Sequence, residues 1–152
     1  MINKMLTSIG KKSKSALANQ VDTKKKNQVL IDYCKLIRNN QKLILSANKR
    51  DVNRSINKGV KKNLIDRLIL NENKIDDIIS SIKSVVKLKD PTNRVLEKWK
   101  RPNGLSISKV SIPIGTIAII YESRPNVTSD VASLCFKSGN PVILRGGSEA
   151  FF

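Results

Sequence analysis

The sequence predicts an α/β protein in which helices come first and a short parallel β-α-β unit comes last. Residues 1–90 carry apolar side chains at helical spacings of three and four. Residues 113–152 hold two short apolar runs, separated by a segment long enough for one helix. Turn residues and one alternating stretch connect these parts over residues 91–112. We therefore expect three regions with these boundaries: a helical region, a turn with a strand, and the start of a parallel sheet.

Within the helical region, the sequence signals are clearest for the last helix. Asn71 precedes an apolar stripe and is the predicted N-cap of this helix. Asp90-Pro91 marks the end of the region, because the residue before a proline is pushed out of the helical conformation. Stripes with the same spacing predict further helices upstream. The stripe of the last helix consists of Ile75, Ile78, Ile79, Ile82, Val85 and Val86.

The middle region is predicted to contain one strand. Apolar and serine side chains alternate over residues 105–108, as in a strand with one exposed face. Pro-Asn-Gly at residues 102–104 marks a turn before it. We expect Trp99 to pack this strand against the helices.

The last region is predicted to form two buried strands joined by a helix. Residues 117–120 (Ile-Ala-Ile-Ile) are continuously apolar, which is typical of a strand covered on both faces. Residues 141–144 (Pro-Val-Ile-Leu) form a second such run. A helix is predicted over residues 128–137, with Thr128 or Ser129 as its cap. Strands connected in this way run parallel, with a right-handed crossover.

A polar turn follows each predicted strand. Ser-Arg-Pro-Asn at residues 123–126 comes after the first, and Arg-Gly-Gly-Ser-Glu at residues 145–149 comes after the second. Both turns should meet at the carboxyl edge of the sheet, where open α/β proteins bind ligands. They offer a helix N-terminus, a cation, backbone amides and a hydroxyl, which suit a ribose or a phosphate. The usual dinucleotide and P-loop motifs are absent, so an anion site and an ordinary surface turn remain equal alternatives.

The net charge of the chain is +17, from 29 Lys and Arg against 12 Asp and Glu. Residues 1–100 carry 24 of the basic and 9 of the acidic side chains, so the excess belongs to the helices. The lysines are mixed with Asn and Ile and lack aromatic partners, which favours solvated helix faces over nucleic-acid binding. No run is long and apolar enough to span a membrane. We therefore expect a cytoplasmic protein without a membrane partner.

The chain has no His and two cysteines. The lack of His excludes a Ser-His-Asp triad and His metal ligands within this chain. Cys34 and Cys135 stand far apart and form no CxxC motif, so we expect no metal site. Both cysteines are predicted to be small core residues rather than reactive thiols.

Two motifs together resemble one enzyme family. Tyr-Glu-Ser-Arg-Pro-Asn-Val-Thr at residues 121–128 and Lys-Ser-Gly-Asn-Pro-Val-Ile-Leu-Arg-Gly-Gly-Ser-Glu-Ala at residues 137–150 closely resemble γ-glutamyl phosphate reductase, in the aldehyde dehydrogenase superfamily. The likeness extends upstream to Leu-Ile-Asp-Arg-Leu at residues 64–68. It implies an aldehyde-dehydrogenase-like fold. In that fold, N-terminal helices precede the first β-α-β of a Rossmann-like NADP-binding domain, which starts at residue 113 and is truncated here.

The resemblance also implies a reaction. The family is an NADP-dependent oxidoreductase that uses NADPH to reduce L-glutamate 5-phosphate to L-glutamate 5-semialdehyde and phosphate, in L-proline biosynthesis. A cysteine attacks the acyl phosphate, phosphate leaves, and a hydride reduces the thioester. The full-length enzyme is expected to be a homo-oligomer.

Site residues follow from the resemblance as well. Asn126 matches the Asn of the aldehyde dehydrogenase superfamily that donates to the oxyanion, so it is the expected catalytic residue. Arg145 falls where related dehydrogenases place a Lys on the adenosine ribose, and an Arg there can also meet the 2′-phosphate. Arg124 is expected either to hold a phosphate or carboxylate of the substrate or to brace the turn. The remaining cofactor-binding candidates are Gly146, Gly147, Ser148 and Glu149.

The chain departs from the family at its end, Phe151-Phe152. The family continues with more strands and a catalytic domain that holds the nucleophilic cysteine, and we do not expect Cys135 to replace that cysteine. The first expectation is therefore an N-terminal piece of the reductase that is inactive alone. Two alternatives are a retained non-enzymatic fragment, whose Lys-rich helices bind a partner or nucleic acid, and one half of a split enzyme.

Overall fold

The structure is a computed structural model that describes residues 2–122 and 124–151. Asn71 is confirmed as an N-cap, because its side chain accepts a hydrogen bond from the Lys74 N–H at 2.9 Å. Asp22 caps an earlier helix in the same way, from the Lys25 N–H at 2.7 Å. The described residues before residue 90 form five helices: α1 (Ile2–Ala18), α2 (Thr23–Asn39), α3 (Gln41–Asn57), α4 (Lys62–Leu68) and α5 (Glu72–Lys87).

The core lies between α2 and α5. Side chains three and four residues apart share one helical face, and α5 buries the face that the sequence predicts. Ile82 is 0% exposed, and burying an Ile contributes about 2 kcal/mol. A later helix, α6 (Pro125–Lys137), packs against both α2 and α5. The buried core cluster consists of Leu30, Cys34, Ile37, Ile75, Ile78, Ile79, Ile82 and Val85.

The middle region forms a β-hairpin instead of the single predicted strand. β1 (Val95–Lys100) pairs antiparallel with β2 (Ser106–Val110). The sequence of β1, Val-Leu-Glu-Lys-Trp-Lys, places charges beside Trp99 and lacks a clean alternation, so periodicity does not detect it. All six residues of β1 are exposed, and Trp99 itself is 41% exposed. The expected packing of Trp99 against the helices is therefore wrong.

Two further strands form a parallel pair, as predicted. β3 (Ile117–Ile120) lies beside β4 (Val142–Arg145), with Ile117 opposite Val142 and Ile120 opposite Arg145. The expected cover on both faces of β3 is not found, because its residues alternate between half-buried and exposed, and Ile120 is 77% exposed. The described chain therefore leaves one face of β3 open, whereas β4 contacts both α1 and α6 and is half-buried over residues 142–144.

Helix α6 connects the two parallel strands and begins earlier than predicted. It starts at Pro125, before Thr128 and Ser129. Proline is favoured at the first helical position, since its fixed φ matches the helix and its missing N–H would have no partner there. The helix ends as expected before Gly139, whose φ is 70°.

The loop before β3 is held by a buried side chain. Asn140 is 6% exposed, and its side-chain oxygen accepts a hydrogen bond from the Gly115 N–H at 3.0 Å. This contact ties the approach to β3 to the end of α6. Among the described residues, no helix combines the length and the apolar character that a membrane crossing requires.

Candidate functional site

The two polar turns lie side by side at the carboxyl edge of the β3–β4 sheet. The Tyr121 N–H donates to the carbonyl of Arg145 at 3.1 Å, one residue beyond the end of β3. A β-carbon added at Gly146 would lie 3.4 Å from the Tyr121 hydroxyl, and one at Gly147 would lie 3.5 Å from the backbone of Glu122. A single added carbon would thus bring the two turns into van der Waals contact. The parallel pairing of β3 and β4 confirms the expectation that both turns follow strand ends at one edge of the sheet; Ser123 lies outside the described residues.

The turn after β4 presents polar groups to solvent. Arg145 and Ser148 are exposed, whereas Gly146, Gly147 and Glu149 are half-buried. The Ser148 hydroxyl donates to the Glu149 carboxylate at 3.5 Å. This arrangement leaves the guanidinium group accessible to an anion at the edge of the sheet.

The turn after β3 leads directly into α6. Arg124 is the N-cap residue, in extended conformation, and Pro125 occupies the first helical position. The side-chain amide of Asn126 donates to Asp130 Oδ2 at 3.0 Å. The hydroxyl of Ser81 on α5 donates to Asp130 Oδ1, also at 3.0 Å. The carboxylate of Asp130 therefore links the first turn of α6 to α5.

A cavity of about 500 Å³ lies between the α4–α5 segment and the first turns of α6. We call it the α5–α6 cavity. Its lining has mixed charge, which suits a ligand that carries both signs. Asn126, Ser81 and Pro125 also line it. The charged residues are Arg67, Lys74, Arg124, Asp66, Asp77 and Asp130.

The cations of this cavity differ in their partners. The Arg67 guanidinium lies 3.6 Å from the Glu122 carboxylate, which links α4 to the end of β3. The Lys74 ammonium donates to the carbonyl of Ile69 at 2.5 Å. Arg124 is exposed and makes no ion pair within residues 2–122 and 124–151. Arg124 is therefore the cation most available to an anionic ligand.

A second cavity, of about 540 Å³, lies between α2, α3, α5 and α6. Most of its lining is apolar, and its polar contacts include the hydrogen bond of 3.1 Å between the Tyr33 and Ser129 hydroxyls. None of the site residues predicted from the sequence lines it. We therefore place the candidate site at the α5–α6 cavity and the adjoining sheet edge, although this second cavity has the larger volume.

Known proteins share this architecture. The structure of γ-glutamyl phosphate reductase from Thermotoga maritima matches with a TM-score of 0.92 and 43% identity, over 95% of this chain and 36% of that one. The Saccharomyces cerevisiae enzyme matches with a TM-score of 0.89 and 30% identity, over 94% and 37% of the two chains. The curated γ-glutamyl phosphate reductase of Clostridium tetani is 46% identical over 151 residues. The chain is a homologue of the N-terminal third of the γ-glutamyl phosphate reductases.

The match covers the N-terminal part of the γ-glutamyl phosphate reductases. The chain spans about a third of the length of its curated relatives: the alignment with the C. tetani protein covers 98% of this chain and 35% of the relative. The Moorella thermoacetica protein of the same name is 49% identical over 130 residues, which is 86% of this chain and 31% of the relative. No family model matches the chain.

Both cysteines of this γ-glutamyl phosphate reductase homologue are core residues, as predicted. Cys34 and Cys135 are 5% and 6% exposed. Burial raises the pKa of each thiol, so neither readily forms the nucleophilic thiolate.

Sequence reasoning missed three residues of the candidate site. Asp130 follows Asn126 by four residues, so the two share a helical face, and this spacing was an available signal. Ser81 carried no signal, because only the packing of α5 on α6 brings it to Asp130. Arg67 lies within the Leu-Ile-Asp-Arg-Leu motif, which indicated the family without indicating a role for this side chain.

Proposed function

We propose that this chain forms part of an NADPH-dependent reductase that converts L-glutamate 5-phosphate to L-glutamate 5-semialdehyde and phosphate, in L-proline biosynthesis. The observation that carries the proposal is its 46% identity, over 98% of the chain, to a relative named γ-glutamyl phosphate reductase. Reduction of an acyl phosphate to an aldehyde needs a hydride donor and a group that stabilises the oxyanion. The two polar turns supply residues suited to both tasks.

Asn126 is the proposed oxyanion donor. Its amide group has two N–H bonds, and one of them is used by Asp130 at 3.0 Å. The other remains for the acyl oxygen of a substrate in the α5–α6 cavity, which Asn126 lines. The N-terminus of α6 adds partial positive charge at the same place. A preorganised donor of this kind lowers the barrier by about 3 kcal/mol.

Arg124 is proposed to bind an anionic group of the substrate. It lines the same cavity as Asn126 and precedes it by two residues. Because its side chain is exposed and makes no ion pair within the described chain, binding a phosphate breaks no existing ion pair. A guanidinium group also matches the bidentate geometry of phosphate oxygens.

The turn over residues 145–149 suits the adenosine end of NADPH. The exposed guanidinium of Arg145 can bind the 2′-phosphate, and the Ser148 hydroxyl and Glu149 carboxylate can bind ribose hydroxyls. Gly146 and Gly147 let the backbone approach the cofactor closely. The cofactor, when bound, supplies the hydride. The residues named here bind and orient one end of it only.

Turnover is proposed to require the part of the reductase that lies beyond the match. Cys135 is buried within α6 and its pKa is raised, so it is not the nucleophile. Strand β3 and the loop before it also expose apolar side chains that further structure would cover, since Ile112, Ile114 and Ile120 are 76%, 88% and 77% exposed. We therefore propose that the chain is inactive alone and active in association with the rest of such an enzyme.

A complementation assay tests the proposal. The purified chain is mixed with a polypeptide that spans the unmatched part of the C. tetani relative. NADPH oxidation is then followed with L-glutamate 5-phosphate, and NADP⁺ reduction with the semialdehyde and phosphate. We expect turnover from the mixture and none from either polypeptide alone. If a complex forms and is inactive in both directions, the proposed function is wrong; if the chain alone turns over, its dependence on the second polypeptide is wrong.

A further inference from the structure

The carboxylate of Asp130 lies on the wall of the α5–α6 cavity, held on both sides. Asn126 Nδ2 donates to one oxygen and the Ser81 hydroxyl to the other, each at 3.0 Å. The residue is half-buried, and no Lys or Arg of the described chain forms an ion pair with it. A carboxylate has about four acceptor positions, so about two remain for a group in the cavity. Its negative charge is compensated by neutral donors only.

A short amino acid can bridge the polar groups of Asn126 and Asp130. Asn126 Nδ2 and Asp130 Oδ2 are 3.0 Å apart, so two ligand atoms that each form a hydrogen bond of about 2.9 Å, one to either group, can lie roughly 3 to 8 Å from each other. In an extended glutamyl group, four bonds of about 1.5 Å separate the acyl carbon from the α-nitrogen, which spans roughly 5 Å. An acyl oxygen that binds the Asn126 amide therefore allows the α-nitrogen to reach Asp130.

We propose that Asp130 binds the α-ammonium group of the amino-acid substrate and makes the site selective for glutamyl over glutaryl acyl groups. The inference rests on the proposed function, which places the acyl group at Asn126. An ammonium–carboxylate hydrogen bond is charge-assisted and stronger than a neutral one. Ser81 acts as a positioning residue, since it holds Oδ1 of Asp130 from the neighbouring helix.

The other charged groups of the cavity fit this assignment. Asp66 and Asp77 also line it, but both are exposed, so water screens their attraction for an ammonium group more strongly. Asp130 is the least exposed of the three acids. The α-carboxylate and the phosphate of the substrate are then left to the three cations of the lining, Arg67, Lys74 and Arg124.

A binding experiment with the full chain tests this role. The probes are the stable phosphonomethyl ketone analogues of L-glutamate 5-phosphate and of glutaryl phosphate, which differ only in the α-amino group. Affinities are measured by calorimetry, and the Asn126 side-chain amide is followed by ¹⁵N NMR. We expect the chain to bind the amino analogue at least about tenfold more tightly, the gain typical of a hydrogen bond between charged groups.

Substitutions then show which side chain produces the preference for the amino analogue. Asp130→Asn keeps the size of the side chain and should reduce the affinity ratio to about one, with the glutaryl analogue bound as before. Ser81→Ala alters an exposed position and should reduce the ratio only partly, because Asp130 loses one of its two donors. Asp77→Asn removes the same charge from the same cavity and should retain the full preference. Circular dichroism confirms that each variant is folded.

The possible failures are distinguishable. Equal affinity of the unaltered chain for the two analogues, or a preference that survives in Asp130→Asn, overturns the role of Asp130 and leaves the proposed function standing. Loss of the preference in Asp77→Asn alone assigns ammonium binding to Asp77 and also overturns it. If neither analogue binds, both this inference and the placement of the substrate beside Asn126 are wrong.

Discussion

The ammonium group of Lys26 lies 2.9 Å from Asp90 Oδ2, and the two side chains are 2% and 10% exposed. The Thr23 hydroxyl donates to the same carboxylate at 2.8 Å, and the Thr92 N–H donates to it at 2.9 Å. These contacts join the first turn of α2 to the segment that follows α5. They therefore hold the start of the hairpin region against the helical core.

Replacing Lys26 with Met tests the importance of this buried ion pair. The substitution leaves the Asp90 carboxylate nearly buried without a cation, so we expect a loss of about 3 kcal/mol in the free energy of unfolding. Urea denaturation measures the change. Lys25→Met is the matched control, because Lys25 is the exposed neighbour on the same helix and should cost less than about 0.5 kcal/mol. Equal losses in the two variants would contradict the prediction.

The same pair predicts a dependence of stability on pH. Burial alone raises the pKa of Asp90, but hydrogen bonds from Thr92, Lys26 and Thr23 outweigh it and hold the pKa well below its ordinary value. A carboxyl with a lowered folded-state pKa contributes stability above its unfolded pKa of about 4, and this contribution is lost as the pH falls below that value. Urea midpoints from pH 7 to pH 3 should therefore fall less steeply in Asp90→Asn than in the unaltered chain. If the urea midpoints of the two proteins fall equally steeply with decreasing pH, the prediction is wrong.

Asn48 predicts a second stability effect, closer to the candidate site. It is 7% exposed, donates to the Leu68 carbonyl and accepts from the Leu70 N–H, both at 2.8 Å. Asn48→Ala leaves these two backbone groups without their partner and should cost about 2 kcal/mol in thermal or urea unfolding. Asn53→Ala, at an exposed position of the same helix, should change little. A comparable loss of stability in both variants would show that the two hydrogen bonds of Asn48 are unimportant.

Asn126 is predicted to act on the rate of the complemented enzyme. Removing one oxyanion donor should lower kcat of the Asn126→Ala complex by about 100-fold to 1,000-fold. The KM for NADPH should stay within about twofold, since a donor to the transition state adds little to cofactor binding. Asn73→Ala, at an exposed position of α5 outside the cavity lining, is the control. A variant that retains most of its kcat would remove Asn126 from the catalytic role.

Arg145 is predicted to discriminate between the two nicotinamide cofactors. In the complemented enzyme, Arg145→Ala should weaken NADPH binding by about tenfold and leave NADH binding nearly unchanged, because only NADPH carries the 2′-phosphate. Cofactor fluorescence measures both affinities. Arg101→Ala removes another exposed arginine, from the hairpin turn, and should alter neither affinity. A parallel loss for both cofactors would contradict 2′-phosphate recognition by Arg145.

Much of the fold was predictable because its signals are local. The stripe of α5 encodes its buried face, and Asn71 encodes its start through a hydrogen bond that spans three residues. Residues 117–120 and 142–145 pair in parallel, since a helix-length connection excludes a tight hairpin between them. The meeting of the two polar turns at one edge follows directly from that parallel pairing.

The errors arose where local signals were weak or were overridden. Strand β1 has no clean alternation, and only its pairing with β2 makes it a strand. The start of α6 moved to Pro125, because proline at the first helical position outweighed the polar caps further along. The apolar run of β3 predicted cover on both faces, whereas the described chain covers one.

Sequence alone was enough to predict the helical faces, the parallel β-α-β unit, the resemblance to the reductases and the candidate residues Arg124, Asn126 and Arg145. Each depends on spacings within a short segment or on a contiguous motif. Only the tertiary structure brought Ser81 to Asp130 and joined Lys26 to Asp90 across 64 residues of chain. Such contacts depend on how helices pack against one another, and no periodicity along the chain records which side chains then meet.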